Sequence, residues 1–578
     1  MKIKRELDRD GRLFVQLQEI VPVTSGISKV HGWLQFSDGE QDRLYPMQTQ
    51  FVTVGEGQIC VSATAMVELE YVFLYGSAKK TITVVPQLLW ENTRKEFSEA
   101  AFSLDGKYFA RTRSQKIGIR TEVTDPLRLA DVDRKKTFGV KLHGIFMWMT
   151  AICSLPVMLM EGYLAQKGYL PLQLEGKTAK GKKAVIFHAN NKIRRFTGVS
   201  FSVREFKTNY FAKKYDWYCR QQVRPNQVLF LSERRVEENG NLDLVRKALK
   251  QESQVEVVEF LETATVDKLS FGQLRRAAKL AAASKVIVLE DFYPQLHALN
   301  IRKETKVVQL WHACGAFKTF GFTRLGKAGG PEANLGNHRN YDQVYVSGSG
   351  IVPFYSEAFA IPEKNVLPIG VPRTDIFFDA HYKESMKEKW YEKYPEWVGK
   401  KMVMFAPTFR GAGNKEAFYP FEMMDIGRFM KSMPEDCILI LKHHPFIKEK
   451  MEIPKEYENR VFDLSEGAAI NELLFLTDLL ITDYSSSIFE AALLRIPMVF
   501  YVFDKEAYLE ERDIYGDFDQ FVPGKQAKTQ EELELVVKEV LEKEKNTGDL
   551  AQFREMYLSA LDGNSTRRVT EQVIGLMK

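Results

Sequence analysis

The hydrophobic and polar positions of this chain change rhythm twice. From about residue 12 to 125 they alternate with a period of two in short runs: RLFVQLQEI (12–20), VHGWLQF (30–36), RLYPMQTQFVTV (43–54), QICVSATAMV (58–67), YVFLYG (71–76) and TITVVPQLLW (81–90). Such β-branched and aromatic runs, separated by SDGE, GEG and GSAKK, predict strands joined by turns and a small β-sandwich or barrel. An uncharged stretch, Gly144 to Met160, follows Arg134, Lys135, Lys136 and Lys141. It is at the short edge for a membrane span and is interrupted by Pro156. A basic flank beside Phe146 and Trp148 suits a helix lying in a membrane interface, and a buried helix joining two domains fits equally. From about 182 strands alternate with helical segments. KAVIFHA, QVLFLSE, KVIVLED, KVVQLW and DQVYVSG form one series; KMVMFAP, CILILKHH, DLLITDYSS and PMVFYVF form another. This predicts two doubly wound parallel sheets.

The resulting fold class is α/β: two Rossmann-like domains facing a cleft, preceded by a small all-β domain. The expected divisions are 1–125 (β accessory domain), 126–181 (linker with a membrane-interface helix), 182–368 (first Rossmann-like domain) and 369–578 (second), with IGVPRTD (369–375) as the hinge. In such sheets ligands sit at the carboxyl ends of strands, so the residues just after each strand carry the chemistry. Asp483-Tyr484-Ser485-Ser486-Ser487 follows one strand and opens a helix, a place where N–H groups and hydroxyls cap the helix or receive phosphate oxygens. Thr408 and Arg410 end another strand, where an arginine forks onto phosphate or makes a salt bridge. Lys442, His443 and His444 end a third. His312 follows an apolar strand, with Gly315, Lys318 and Gly321 beyond it and a glycine-rich cationic stretch, 323–340, after that. A histidine there has the intrinsic pKa to take a proton from a hydroxyl.

Composition narrows the options. The five cysteines form no CxxC pair and no zinc spacing, so neither a disulfide framework nor a structural metal is expected. The first residues, MKIKRELDRDGR, lack the apolar core of a signal peptide, which places the expected protein in the cytoplasm. A net charge of +5 hides an uneven distribution: residues 177–224 hold 13 Lys/Arg and 2 acids, interleaved with nine aromatics. Anionic lipid or a polyanionic acceptor would be drawn to such a stretch. No GxxxxGK[ST], GxSxG or HExxH motif occurs.

WHACGAFK, GVPRTD, MFAPTFR, KHHP and TDYSSSIFEAALLRIPMVFY, in this order, resemble the CDP-glycerol glycerophosphotransferase family of teichoic-acid primases and polymerases over roughly 182–560. The resemblance implies a GT-B type fold and a transfer of glycerol or ribitol phosphate from CDP-glycerol or CDP-ribitol to a polyprenyl-linked or teichoic-acid acceptor, releasing CMP. It implies His312 and His444 as catalytic residues, His312 being the first choice of base. Gly370, Arg373, Thr408, Arg410, Asp483, Ser485, Ser486 and Glu490 become donor-binding positions. Glu490 stands where the family commonly has Asp. No tightly bound cofactor is implied, an Mg2+ requirement stays open, and no dedicated ligand cluster is visible. The expected location is peripheral, at the cytoplasmic face of the membrane. No nucleic-acid partner is expected, and oligomerisation is open. The competing readings are a GT-B glycosyltransferase using a nucleotide sugar, a polyanion- or membrane-binding protein without activity, and a catalytically dead scaffold.

Overall fold

The computed structural model describes the chain outside residues 8–10, 24–29, 56, 70–71, 73–79, 91–92, 107–137, 168–183, 187, 190–191, 193–202, 235, 326–329, 332–337, 339, 412–415 and 543–547. By its internal contacts the chain divides into two compact units. One comprises Met1–Phe109, Cys219–Thr263 and Leu280–Lys578; the other comprises Ala110–Tyr218 and Ala264–Lys279.

The first unit opens with an antiparallel sheet of β1 (Lys2–Leu7), β2 (Arg12–Pro22), β3 (His31–Ser37), β4 (Asp42–Gly55), β5 (Gln58–Glu68), β6 (Thr81–Trp90), β7 (Thr93–Glu96) and β8 (Phe102–Asp105). Its order is β1-β2-β5-β4-β3-β6-β7, with β8 also on β6. β4 pairs with β3 through Asp42–Met47 and with β5 from Gln48 onward, so one long strand passes between the two halves of the sheet. The alternation seen in sequence becomes alternation of burial. Leu13, Val15 and Leu17 of β2 share a core with Val61, Phe36 and Val84. Of the expected run YVFLYG, only Val72 lies within the described residues.

Two six-stranded parallel sheets follow. The first joins β9 (Arg224–Ser232), β10 (Glu256–Leu261), β11 (Ser284–Leu289), β12 (Lys306–Gln309), β13 (Gln343–Tyr345) and β14 (Val366–Leu367) in the order β10-β9-β11-β12-β13-β14. The second joins β15 (Lys401–Phe405), β16 (Cys437–Leu441), β17 (Val461–Asp463), β18 (Leu479–Thr482), β19 (Met498–Tyr501) and β20 (Lys525–Ala527) in the order β17-β16-β15-β18-β19-β20. In the second sheet the order reverses between β15 and β18, and such a point opens a crevice at the carboxyl ends. Helix 565–575 returns to the first sheet: Val569 and Val573 share a core with Val228, Phe230, Val245 and Val288. Asp375 accepts from the Ser565 and Thr566 N–H groups at 2.9 and 2.8 Å and caps that helix.

In the second unit the uncharged stretch lies within one helix, Phe138–Gln166, which runs through Pro156. Met149, Ile152, Cys153, Val157, Met160, Tyr163 and Leu164 are exposed along one helical stripe. Among the described residues no helix is long and apolar enough to cross a membrane. KAVIFHA, expected as a strand, is helical at its described positions 184–186 and 188–189. A short apolar run carries no period that separates strand from buried helix. This one packs on helix 138–166, where a Cβ on Gly162 would meet the Val185 carbonyl at 2.7 Å. The basic flank 134–136 and most of the cationic stretch before Val203 lie outside the described residues; its described part includes helix Val203–Tyr218. There Phe271 meets Phe206 and Tyr210 edge-on at 6.0 and 4.9 Å, with Lys207 over the Phe271 ring.

Candidate active site

Strand ends of the first parallel sheet supply a histidine and its orienting acid. After β12 the chain turns sharply, with Trp311 at φ 55°. A left-handed tryptophan costs on the order of 1–2 kcal/mol, so surrounding contacts must fix it. Its N–H donates to Gln309 Oε1 at 2.9 Å, and its carbonyl accepts from the fully buried Asn241 Nδ2 at 2.7 Å. The turn presents His312, whose ring stacks on Trp311 and is half exposed. His312 Nδ1 lies 3.0 Å from Asp291 Oδ1, just past the end of β11. Burial alone pushes the Asp291 carboxyl up. The hydrogen bond and charge of His312, with Arg234, outweigh it and hold the carboxyl below its ordinary value. An ionised Asp291 fixes the proton on Nδ1 and leaves Nε2 of neutral His312 as a free lone pair. The adjacent Glu290 accepts the Asn241 N–H at 3.1 Å. Burial and the charge of Asp291 push its carboxyl up to about 7.

The second parallel sheet contributes the opposite chemistry. Thr408 and Arg410 follow β15 and Asp483 follows β18, the two strands that flank its reversal of order. Buried Asp483 accepts from the Thr408 and Tyr484 N–H groups at 2.7 and 2.6 Å and from Arg410 Nη1 at 2.9 Å. Burial pushes this carboxyl up, against the Arg410 charge and the two backbone donors. Arg410, expected to fork onto phosphate, forks in this structure onto Asp504, through Nε at 2.6 Å and Nη2 at 3.0 Å. Its guanidinium also lies against Tyr419, Tyr484, Phe503 and Tyr508. Beyond Asp483, Ser485 Oγ is 2.9 Å from Ser487 Oγ; Ser486 is exposed.

His443 and His444 part company. His443 is buried among Phe405, Tyr419 and Phe421, and burial pushes it down to about 4. His444 is half-buried against Phe409 and Phe446. Its Nδ1 accepts the Phe446 N–H at 3.2 Å, which leaves Nε2 of the neutral ring as an N–H donor. Burial first, and then the Lys318 charge, holds His444 below the usual imidazole value.

Residues from both sheets interlock. Arg373 Nη2 pairs with Glu490 Oε1 at 2.7 Å, its Nε donates to the His312 carbonyl at 3.2 Å, and its N–H donates to Asn241 Oδ1 at 2.8 Å. Gly315, at φ 68°, lies against the ring of Phe489 on helix 488–493, where an added Cβ would meet ring carbon at 2.2 Å. Gly370 instead meets Ser565 at the start of the last helix. The structure thus ties His312, Arg373 and Glu490 into one chain of contacts, and Thr408, Arg410 and Asp483 into another. Asp291, Glu290, Asn241 and Asp504 were missed by sequence reasoning. For the first two a signal existed: KVIVLED ends in both acids, and the strand-end rule applied to His312 covers them. Most of the glycine-rich stretch 323–340 lies outside the described residues. Among the described residues no group of three or more His, Cys, Asp or Glu could hold a metal ion.

Comparison with known proteins gives the family of the chain. Residues 214–575 match the family described as CDP-glycerol:poly(glycerophosphate) glycerophosphotransferase. A teichoic acid poly(ribitol-phosphate) polymerase of Bacillus spizizenii is 40% identical over 373 residues, 64% of this chain and 60% of that polymerase's own length. The teichoic acid ribitol-phosphate polymerase TarL of Staphylococcus aureus is 35% identical over 69% of this chain and 71% of its own. Among solved structures, a variant of the wall teichoic acid polymerase TagF superposes with a TM-score of 0.50 at 17% identity, over 65% of this chain and 98% of that one, a likeness of fold. The chain belongs to the CDP-glycerol:poly(glycerophosphate) glycerophosphotransferase family.

Proposed function

We propose that this protein transfers a polyol phosphate from a CDP-polyol to a teichoic-acid acceptor and releases CMP, in a GT-B arrangement of two Rossmann-like domains, built on the parallel sheets β9–β14 and β15–β20, that face a cleft. The observation that carries the reading is the His312–Asp291 pair, held at a strand end in a chain of this family. An acceptor hydroxyl gives its proton to His312 Nε2 as its oxygen attacks the phosphorus bearing the polyol. The bond from that phosphorus to the bridging oxygen breaks, and CMP leaves with the electron pair. Transfer of this kind depends on positioning and charge stabilisation and needs no covalent intermediate. His444, with Nε2 as a donor, stabilises charge on the departing phosphate, and Ser485 and Ser486 bind its oxygens. Arg410 holds Asp483 and the serine turn in place, and the Arg373–Glu490 pair fixes the His312 backbone against helix 488–493.

Both relatives named above are ribitol-phosphate polymerases, which favours CDP-ribitol over CDP-glycerol as donor. The exposed stripe on helix 138–166 and the aromatic-cationic surface of helix 203–218 support peripheral attachment to the cytoplasmic face of the membrane. The β-sheet of residues 1–106 takes an accessory role. The test is CMP release from CDP-ribitol and CDP-glycerol with a lipid-linked acceptor, beside His312→Ala and His444→Ala. Acceptor-dependent release from one donor, lost in the histidine variants, is expected. Release from a nucleotide sugar in place of both would overturn the assignment.

A further inference from the structure

Lys318 lies in the segment after β12, and the proposed transfer has so far left it without a task. Two backbone hydrogen bonds grip that segment: Thr319 N–H donates to the Asp513 carbonyl at 3.0 Å, and Tyr515 N–H donates to the Phe317 carbonyl at 2.9 Å. Lys318 itself bridges Ile514. Its ammonium is thereby carried from the first sheet's side to the charged groups of the second. It lies 5.6 Å from the centre of the Tyr508 ring, and Asp483, Arg410, Arg512 and His444 feel or supply charge there.

Among the described residues Lys318 has no carboxylate within ion-pair reach and donates no hydrogen bond. Asp483 is taken by Arg410 and by two backbone N–H groups, and Asp504 is taken by Arg410. Arg512 donates to the Gly411 carbonyl at 2.5 Å; its nearest carboxylate is exposed Glu511 at 4.0 Å. Lys318 therefore stands in a largely buried place without a close anion, and Arg512 beside it has only an exposed one at 4.0 Å, an arrangement that is costly for the lysine unless a ligand supplies the negative charge.

We propose that Lys318, together with Arg512, binds the diphosphate of the CDP-polyol donor and neutralises the phosphate of the departing CMP. This rests on the transfer reaction proposed above and adds a donor-binding residue delivered from the opposite sheet. The lysine is pulled down to about 8, by burial first and then by Arg512 and Arg410, against Asp483. An arriving diphosphate restores its charge. The protonated fraction of the free enzyme falls about ten-fold between pH 7 and pH 9, and donor affinity falls with it.

The experiment is calorimetric titration of the full chain with CDP at pH 7 and pH 9, for wild type, Lys318→Arg and Lys318→Met, with circular dichroism as a control of folding. Wild type is expected to bind roughly ten-fold more weakly at pH 9. Lys318→Arg keeps the pH 7 affinity within a few-fold and loses the decline, because a guanidinium stays charged. Lys318→Met binds roughly thirty-fold more weakly at pH 7, the scale of a charge-assisted contact. Wild-type affinity in Lys318→Met, or an undiminished decline in Lys318→Arg, overturns the assignment even where Lys318→Met fails to fold. Wild-type protein that binds no CDP at either pH overturns the donor reading itself.

Discussion

Replacing Asp291 by Asn keeps the shape of the side chain but offers His312 an amide where a carboxylate stood. The imidazole is then free to carry its proton on Nε2, the nitrogen that must accept one. Asp291→Asn is expected to lower the turnover of acceptor-dependent CMP release by roughly a thousand-fold, with the donor KM within a few-fold of wild type. Steady-state kinetics at saturating acceptor read this directly. Glu290 gives a different signature. Its carboxyl is raised in the fold from 4.5 to about 7, so the folded state binds the extra proton more tightly than the unfolded chain does. The resulting stabilisation is full below about pH 4.5 and is lost as pH rises through about 7, on the order of 3 kcal/mol in all. Glu290→Gln is expected to flatten that slope in denaturant titrations at pH 5, 6 and 7.5, since the amide oxygen still accepts the Asn241 N–H. Single residues of this kind were half legible in the sequence. His312 and His444 announce themselves by following apolar strands, but nothing in KHHP says that His443 turns inward and His444 does not. Nor can a sequence show that Arg410 is already occupied by an aspartate 94 positions away.

Among the elements, the apolar strands β9, β11, β12, β13, β15, β16, β18 and β19 were all expected, because strands buried on both faces are written as continuous apolar runs. Within the two parallel sheets the strands that escaped were β10, β14, β17 and β20. They are short or, like EVVEFL, mix acids into a half-buried sheet edge, where packing with a neighbour outweighs local pattern. The turn between β12 and Phe320 is the most constrained connection. Gly315 has a positive φ and carries the Phe489 ring where a side chain would be. Gly321 has φ 55°, and an added Cβ would meet the Ala358 carbonyl at 2.0 Å. Gly315→Ala is therefore expected to cost about 3 kcal/mol of stability and to abolish transfer, because the ring and the helix behind the serine turn must move together. Thermal unfolding beside CMP release checks both halves of that expectation.

For the molecule as a whole, the antiparallel sheet is fastened to the body of its unit. Trp33 and Leu44 share a core with Phe322 and Ala360. His31 lies 2.5 Å from buried Glu357, and Arg94 pairs with Glu363 at 3.0 Å. Trp33→Ala is expected to cost about 3–5 kcal/mol, visible as a lowered melting temperature of the full chain. An active but less stable variant is the outcome that agrees with an accessory role for this sheet. Pattern alone gave a sandwich or barrel followed by two sheets; it could not give the seams, which are built from single residues far apart in the chain. The return of helix 565–575 to the first sheet has one more consequence, in the time domain. Val228, Phe230 and Val288 are made about 300 residues before their cover, Val569 and Val573. At ribosomal rates that is a wait on the order of tens of seconds, during which an apolar sheet face stands open. A sheet that is made earlier is completed by a helix made much later, and a nascent chain stalled before that helix would be a natural client for chaperones.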